Sequence, residues 1–168
     1  KLDGLIRAQI PCGREVRPEP HGLNGQIDLT QLRCSPYVNL DRARHSIGSL
    51  GGGNHFIEVD RGEQGDLFLV VHSGSRHTGN EVAKYYHYEG RKSFWGGSRR
   101  QIEAVVAQLK AQGRFQEIQP TIANLRKEHT IAVPRDLAYV EGQLFDDYIH
   151  DMKIIQHFAT LNRKAMMD

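Results

Sequence analysis

The strongest hydrophobic periodicity lies at the end of the chain. Phe145, Tyr148, Met152, Ile155, Ala159, Asn162 and Met166 recur at alternating steps of three and four. That spacing predicts one long amphipathic helix with the stripe turned toward a core. Asp146, Asp147 and Asp151 fall early in it and Arg163 and Lys164 late, the order that a helix dipole favours. Asn162 is the polar member of the stripe, and a buried amide needs a partner. Upstream, Ile102, Val105, Val106 and Leu109 follow helical spacing behind Ser98 and Gln101, whose "SRRQ" reads as a capping box. Gly113 is placed to end that helix. A weaker helix is expected over about 115–128, kinked or restarted at Pro120, with Pro134 marking the next boundary.

The middle of the chain changes period. Phe56 to Asp60 reads as a short strand, and "LFLVV", 67–71, is a continuous apolar run that reads as a buried strand. The turn-rich "RGEQGD", 61–66, joins them into a hairpin candidate. Residues 11–25 carry Pro11, Pro18 and Pro20 with several glycines and read as irregular loop. The opening "KLDGLIRAQI" reads as the end of a helix, and Lys1 stands where a start methionine would be, so a piece of a longer chain is expected. The pattern gives an α+β chain with one real core.

Composition narrows this little. The chain has 168 residues and a net charge of +2, too balanced to announce nucleic acid by itself. The basic cluster "GSRR" at 97–100 is too short to change that. No apolar run approaches a membrane span, and no signal peptide is visible. Cys12 and Cys34 lack metal-type spacing and read as free cytosolic thiols.

Candidate chemistry concentrates at "SIGSLGGGNHFIEV", residues 46–59. Consecutive glycines cost entropy on folding, so the backbone there needs unusual dihedrals or must admit something very close. It is not a standard nucleotide loop: Gly48 to Gly53 has the Walker spacing, but Asn54 stands where lysine is required, and no G-x-G-x-x-G occurs there. If the 61–66 connector closes symmetrically, Asp60 faces Leu67, Phe56 faces Val71, and the next pair out is His55 with His72. Opposed residues share a face. Two imidazoles so placed can share one metal ion or hold one each of two. His55 alone would read as a hydrogen-bonded structural residue; the pairing with His72 favours the metal. His72 also opens "HSGSR", where Gly74 and the forked cation of Arg76 suit an anionic oxygen.

These residues carry a resemblance. "GSLGGGNHFIEV", "VHSGSR" and "FDDYIHDMKIIQHFATLNRKAMM" resemble the RtcB RNA ligases, and "IPCGREV" and "PRDLAYVEGQLFDDY" are in the same style. The resemblance implies a fragment of an RtcB-like catalytic domain, 1–168, with 98–128 as a helical insertion. It implies a cytoplasmic, GTP- and manganese-dependent ligase of RNA repair and tRNA splicing. Such an enzyme joins RNA ends bearing a 3′-phosphate or 2′,3′-cyclic phosphate to 5′-hydroxyl ends through a guanylated histidine. Carried onto this sequence, His55 and His72 match metal ligands. Asn54, His55, Phe56, Ile57 and Glu58 match the segment lining the guanylate. Asn54 and Arg76 match groups near the terminal RNA phosphate. The bridging cysteine of the family sits in D-x-x-C-G; here Gln9 stands in place of the aspartate, and the role is not carried to Cys12. The third metal histidine and the guanylated histidine are expected outside this chain, so the fragment alone is expected to be inactive. The rival readings are a metal-dependent phosphoesterase using the same two histidines and a non-catalytic RNA- or nucleotide-binding module.

Overall fold

The computed structural model describes residues 1–128 and 133–168, without the side chains of 95–100, 127, 128 and 135. The expected Ser98 cap therefore lies outside the described side chains. The chain divides into two compact units, one formed by 1–84 with 146–168 and the other by 85–145.

The first unit begins with α1 (Leu2–Gln9), followed by irregular chain. A short helix, α2 (Leu40–Ser46), follows, which the hydrophobic pattern did not predict. Its start is set by Asn39, whose side-chain oxygen accepts the Arg42 N–H at 2.9 Å. Next come β1 (Phe56–Arg61) and β2 (Leu67–His72), an antiparallel two-stranded sheet. The long helices α3 (Arg76–Ala111) and α5 (Gly142–Ala165) each contribute residues to both units. Phe158 and Ile47 are fully buried, with Leu32, Ala43 and Leu161 nearly so. Ile47 of this core directly precedes the glycine-rich segment.

The hairpin differs from expectation in register. Phe56, not His55, stands opposite His72, and Arg61 pairs with Leu67. The reason is the loop: Arg61 joins the ladder, and the turn closes over 62–66, with Gly62 N–H donating to Asp66 O at 2.8 Å and Gly65 at φ +91°. A one-residue change in loop length moves every pair. The expected burial of β2 is also overturned. Leu67 is 72% exposed and Phe68 55%, because among the described residues the hairpin has no third strand to pair with it.

The C-terminal helix forms as expected, but its buried face is turned relative to the apolar stripe. Ile155, Asn162 and Met166 are buried, whereas Phe145 is 46% exposed. Asp151, Phe158 and Leu161 are buried in addition. Asp151 is thus not an exposed dipole-complementing acid. Its carboxylate accepts the Arg33 N–H at 2.8 Å and the Cys34 N–H at 3.0 Å, which satisfies a turn that leaves those donors free. His150, expected on a solvated face, is half-buried and hydrogen-bonded to Asp151.

In the second unit, no helix starts at Ser98. α3 runs unbroken from Arg76, since no proline interrupts 76–111 and the backbone continues through Gly96 and Gly97. Gly113 ends it at φ +72°, with Arg114 N–H donating to Leu109 O and Gly113 N–H to Lys110 O, a Schellman closure. A 3-10 turn, Phe115–Glu117, leads into α4 (Ile118–Glu128), and Pro120 is accommodated in its first turn. Phe94 packs edge-on against Tyr139 at 4.8 Å.

Candidate functional site

The glycine-rich segment ends α2 and enters β1, and its geometry explains its composition. Gly48 has φ +80°, a conformation that side chains rarely adopt. Gly51 answers a different need. A Cβ there would lie 1.8 Å from His55 Nδ1 and 2.7 Å from Arg76 Nη1, so the missing side chain is the space in which imidazole and guanidinium meet.

His55 and His72 do come close. Their ring centroids are 5.9 Å apart, inclined at 58°. The direct cross-strand partner of His72 is Phe56, which stacks on it at 5.1 Å and 19°. His55 can join them because it precedes β1 and is not bound to the alternation of the pleat. That alternation does divide the following residues. Phe56 and Glu58 lie on one face of the strand and Ile57 on the other, so the 54–58 segment cannot present every side chain to one ligand. Asn54 is exposed and makes no hydrogen bond among the described residues.

His55 is half-buried, and its Nδ1 is buried with no hydrogen-bond partner among the described residues. Burial lowers its pKa, helped by the neighbouring Arg76 cation and by His72. The shift favours the neutral ring, which is the form that a metal ligand needs. Among the described residues, no group of three His, Cys, Asp or Glu converges on one point. The pair thus fits two ligands of a metal site and not a complete one.

Arg76 is half-buried at the start of α3 with φ +57°, an uncommon backbone for a residue with a side chain. Its guanidinium holds the site together. Nε donates to Ser49 Oγ at 3.0 Å, and Nη2 donates to Gly13 O at 2.9 Å and Glu15 O at 3.1 Å. Burial lowers its pKa, and the nearby Arg42 adds to that. Arg14, Arg42 and Arg76 line a cavity of about 230 Å³ with His77 and Asn80, and no carboxylate lines it. Sequence reasoning reached Arg76 but not Arg14 or Arg42. Those two lie in an irregular loop and a short helix, with no periodicity to bring them together. Cys12 is exposed and Cys34 buried, both free thiols. The Cys34 thiol is pushed up to about 12, by burial first and then by Asp151.

The site therefore combines a pair of neighbouring imidazoles with an arginine, Arg76, that also lines the small three-arginine cavity. Comparison with known proteins gives the family. The profile of the family described as tRNA-splicing ligase RtcB matches residues 13–168, and the chain belongs to that family. It is 34% identical over 142 residues to the RNA-splicing ligase RtcB of Escherichia coli K12, and equally to the RNA-splicing ligase RtcB1 of another Escherichia coli strain. Each alignment covers 83% of this chain and 27% of the relative, so the chain spans about a quarter of the length of these proteins. No solved structure matches it significantly. Among the described residues, no helix is long and apolar enough to cross a membrane.

Proposed function

We propose that the complete protein is an RNA ligase that joins a 3′-phosphate or 2′,3′-cyclic phosphate end to a 5′-hydroxyl end, using GTP and manganese and a guanylated histidine outside this chain. The observation that carries the reading is the family match over the very segments that bring His55 and His72 to 5.9 Å. His55 and His72 would hold manganese, and the metal would supply positive charge against the guanylate and terminal RNA phosphates. Neutral His55, kept so by burial and Arg76, keeps its lone pair free for that purpose. Asn54, His55 and the Phe56 and Glu58 face of β1 line the nucleotide, with Ile57 turned to the other face, and Asn54 with Arg76 orients the terminal phosphate. The three-arginine cavity supports this reading, because planar guanidiniums converging without a carboxylate suit phosphate oxygens.

The test is covalent labelling. Full-length protein incubated with radiolabelled GTP and manganese forms an acid-sensitive histidine adduct that a chelator prevents. His55→Ala abolishes it. Metal-dependent phosphate release with no adduct would instead support a phosphoesterase. Unchanged adduct formation by His55→Ala at saturating manganese would reject the ligand assignment.

A further inference from the structure

The polar residue on the buried face of α5 touches both segments that carry the candidate histidines. Asn162 is fully buried. Its Oδ1 accepts the Gly48 N–H at 2.9 Å and the Ser49 N–H at 3.1 Å, in the loop that leads to His55. Its Nδ2 donates to Ser73 Oγ at 3.2 Å and to Gly74 O at 3.0 Å, in the turn that follows His72. The next residue, Arg163, donates from Nη1 to Ser73 O at 3.1 Å. One amide therefore fills four hydrogen-bonding positions and ties together two loops that the hairpin ladder does not pair.

The ladder alone leaves this distance unset. β1 and β2 pair from Phe56 with His72 onward, so His55 and the turn at 73–74 lie just beyond the last rung. Ser49, bonded to Asn162 through its N–H, also accepts Arg76 Nε on its hydroxyl and donates that hydroxyl to Ser46 O at 2.5 Å. A displacement at Asn162 would thus pass to the loop, to Arg76 and to the space at Gly51 that holds the His55 ring. An asparagine is suited to this place because it offers an acceptor and a donor from one planar group, whereas aspartate offers acceptors only.

We propose that Asn162 is a positioning residue that sets the spacing of His55 and His72 by bonding both loops at once. The activity arm of its test rests on the RNA-ligase reading; the reactivity arm does not. Full-length metal-free protein is treated with diethylpyrocarbonate, and the modification rate of His55 is followed by peptide mass spectrometry. Asn162→Ala is expected to raise that rate several-fold while the protein stays folded at the assay temperature. Asn162→Asp keeps the acceptor for Gly48 and Ser49 and loses the donor to the 73–74 turn, so it is expected to fall in between. Asp151→Asn, equally buried on the same helix but bonded to Arg33 and Cys34 N–H, is the control. It lowers thermal stability and leaves the His55 rate at the wild-type value. In ligation assays Asn162→Ala lowers kcat by about 10²-fold, the scale of a misplaced catalytic group, with KM for RNA little changed. A wild-type His55 rate in Asn162→Ala overturns the proposal, and so does an equal rise in Asp151→Asn. If Asn162→Ala does not fold, Ser73→Ala, which removes one of the bonds, decides the matter: a raised His55 rate supports the clamp, an unchanged rate overturns it. If wild-type protein forms no adduct and ligates nothing, the RNA-ligase reading fails while the His55 rate still reports on Asn162.

Discussion

Replacing Gly51 by alanine adds one carbon at the point of closest approach in the site. That carbon would lie 1.8 Å from His55 Nδ1, 2.5 Å from Cε1 and 2.7 Å from Arg76 Nη1. Ordinary contact needs ~3.5–4 Å, so the ring must retreat by ~2 Å. The His55 ring can turn away on its own side-chain torsions, but Arg76 is tied to Ser49, Gly13 and Glu15 and yields less. The cost of such overpacking is ~1–3 kcal/mol, and a domain of this size loses ~2–4 °C in Tm per kcal/mol. The neighbouring glycines give the contrast. Gly52 lies in open backbone conformation, with an added Cβ at 3.6 Å from Gly13 Cα, an ordinary contact. Alanine there is expected to be neutral or slightly stabilising. At Gly53 an added Cβ meets nothing within 4 Å, but φ is +73°, so alanine there costs ~1–2 kcal/mol of backbone strain and no displacement of His55. Thermal unfolding and crystal structures of the three variants test this. Gly51→Ala should separate the His55 and His72 rings beyond 5.9 Å, and Gly53→Ala should not. A Gly51→Ala protein with wild-type Tm and an unmoved imidazole pair would refute the close-approach explanation of this glycine.

Three further outcomes are expected. Asp151→Asn leaves one buried N–H of the Arg33–Cys34 turn facing an amide nitrogen instead of an oxygen; the loss is ~1–3 kcal/mol in urea unfolding, and a change within error would remove Asp151 from the core account. The Cys34 thiol, pushed up to about 12, stays protonated at pH 8, so a thiol reagent should label exposed Cys12 in the folded chain and reach Cys34 only on unfolding; rapid labelling of both would contradict the burial. Residues 1–168 incubated with labelled GTP and manganese should remain unlabelled, since two imidazoles without a third ligand among the described residues hold the ion too loosely; a stable histidine adduct on this chain would overturn that.

Much of this architecture is legible in the sequence, and the gaps have identifiable causes. The two strands announce themselves as apolar runs around a turn-rich connector, but nothing in "RGEQGD" says whether Arg61 belongs to the strand or the loop. That single residue decides the register. The α5 helix is visible from its period, yet the apolar stripe misjudges its buried face because Asp151 sits at a core position. A carboxylate is read as solvent-facing unless the backbone donors it satisfies are known, and those lie at Arg33 and Cys34, far away in sequence. α2 has seven residues, too few for a period to register, although Asn39 before "LDRARHS" is a usable start signal. "SRRQ" is the reverse case. It has the capping pattern, but a cap forms only where the chain breaks, and α3 runs through it.

The imidazole pair shows why a wrong register can accompany a right neighbourhood. Had His55 been a strand residue, its position next to Phe56 would send the two side chains to opposite faces, and Phe56 faces His72. His55 escapes that rule because β1 begins one residue later. Its placement is then set by contacts outside the sheet. Gly51 supplies the space for the ring, Arg76 draws the 13–15 segment and Ser49 around it, and Asn162 holds the 48–49 loop to the 73–74 turn. The Arg76 and Asn162 contacts join residues distant in sequence, and each uses a polar group that burial obliges to find a partner. The same obligation leaves His55 Nδ1 conspicuous. In a site where the Asn162 amide and the Nε and Nη2 of Arg76 are engaged, this buried nitrogen has no hydrogen-bond partner among the described residues. That unsatisfied nitrogen, on a ring whose pKa burial and the adjacent guanidinium lower, is the feature of the pair that core packing does not explain.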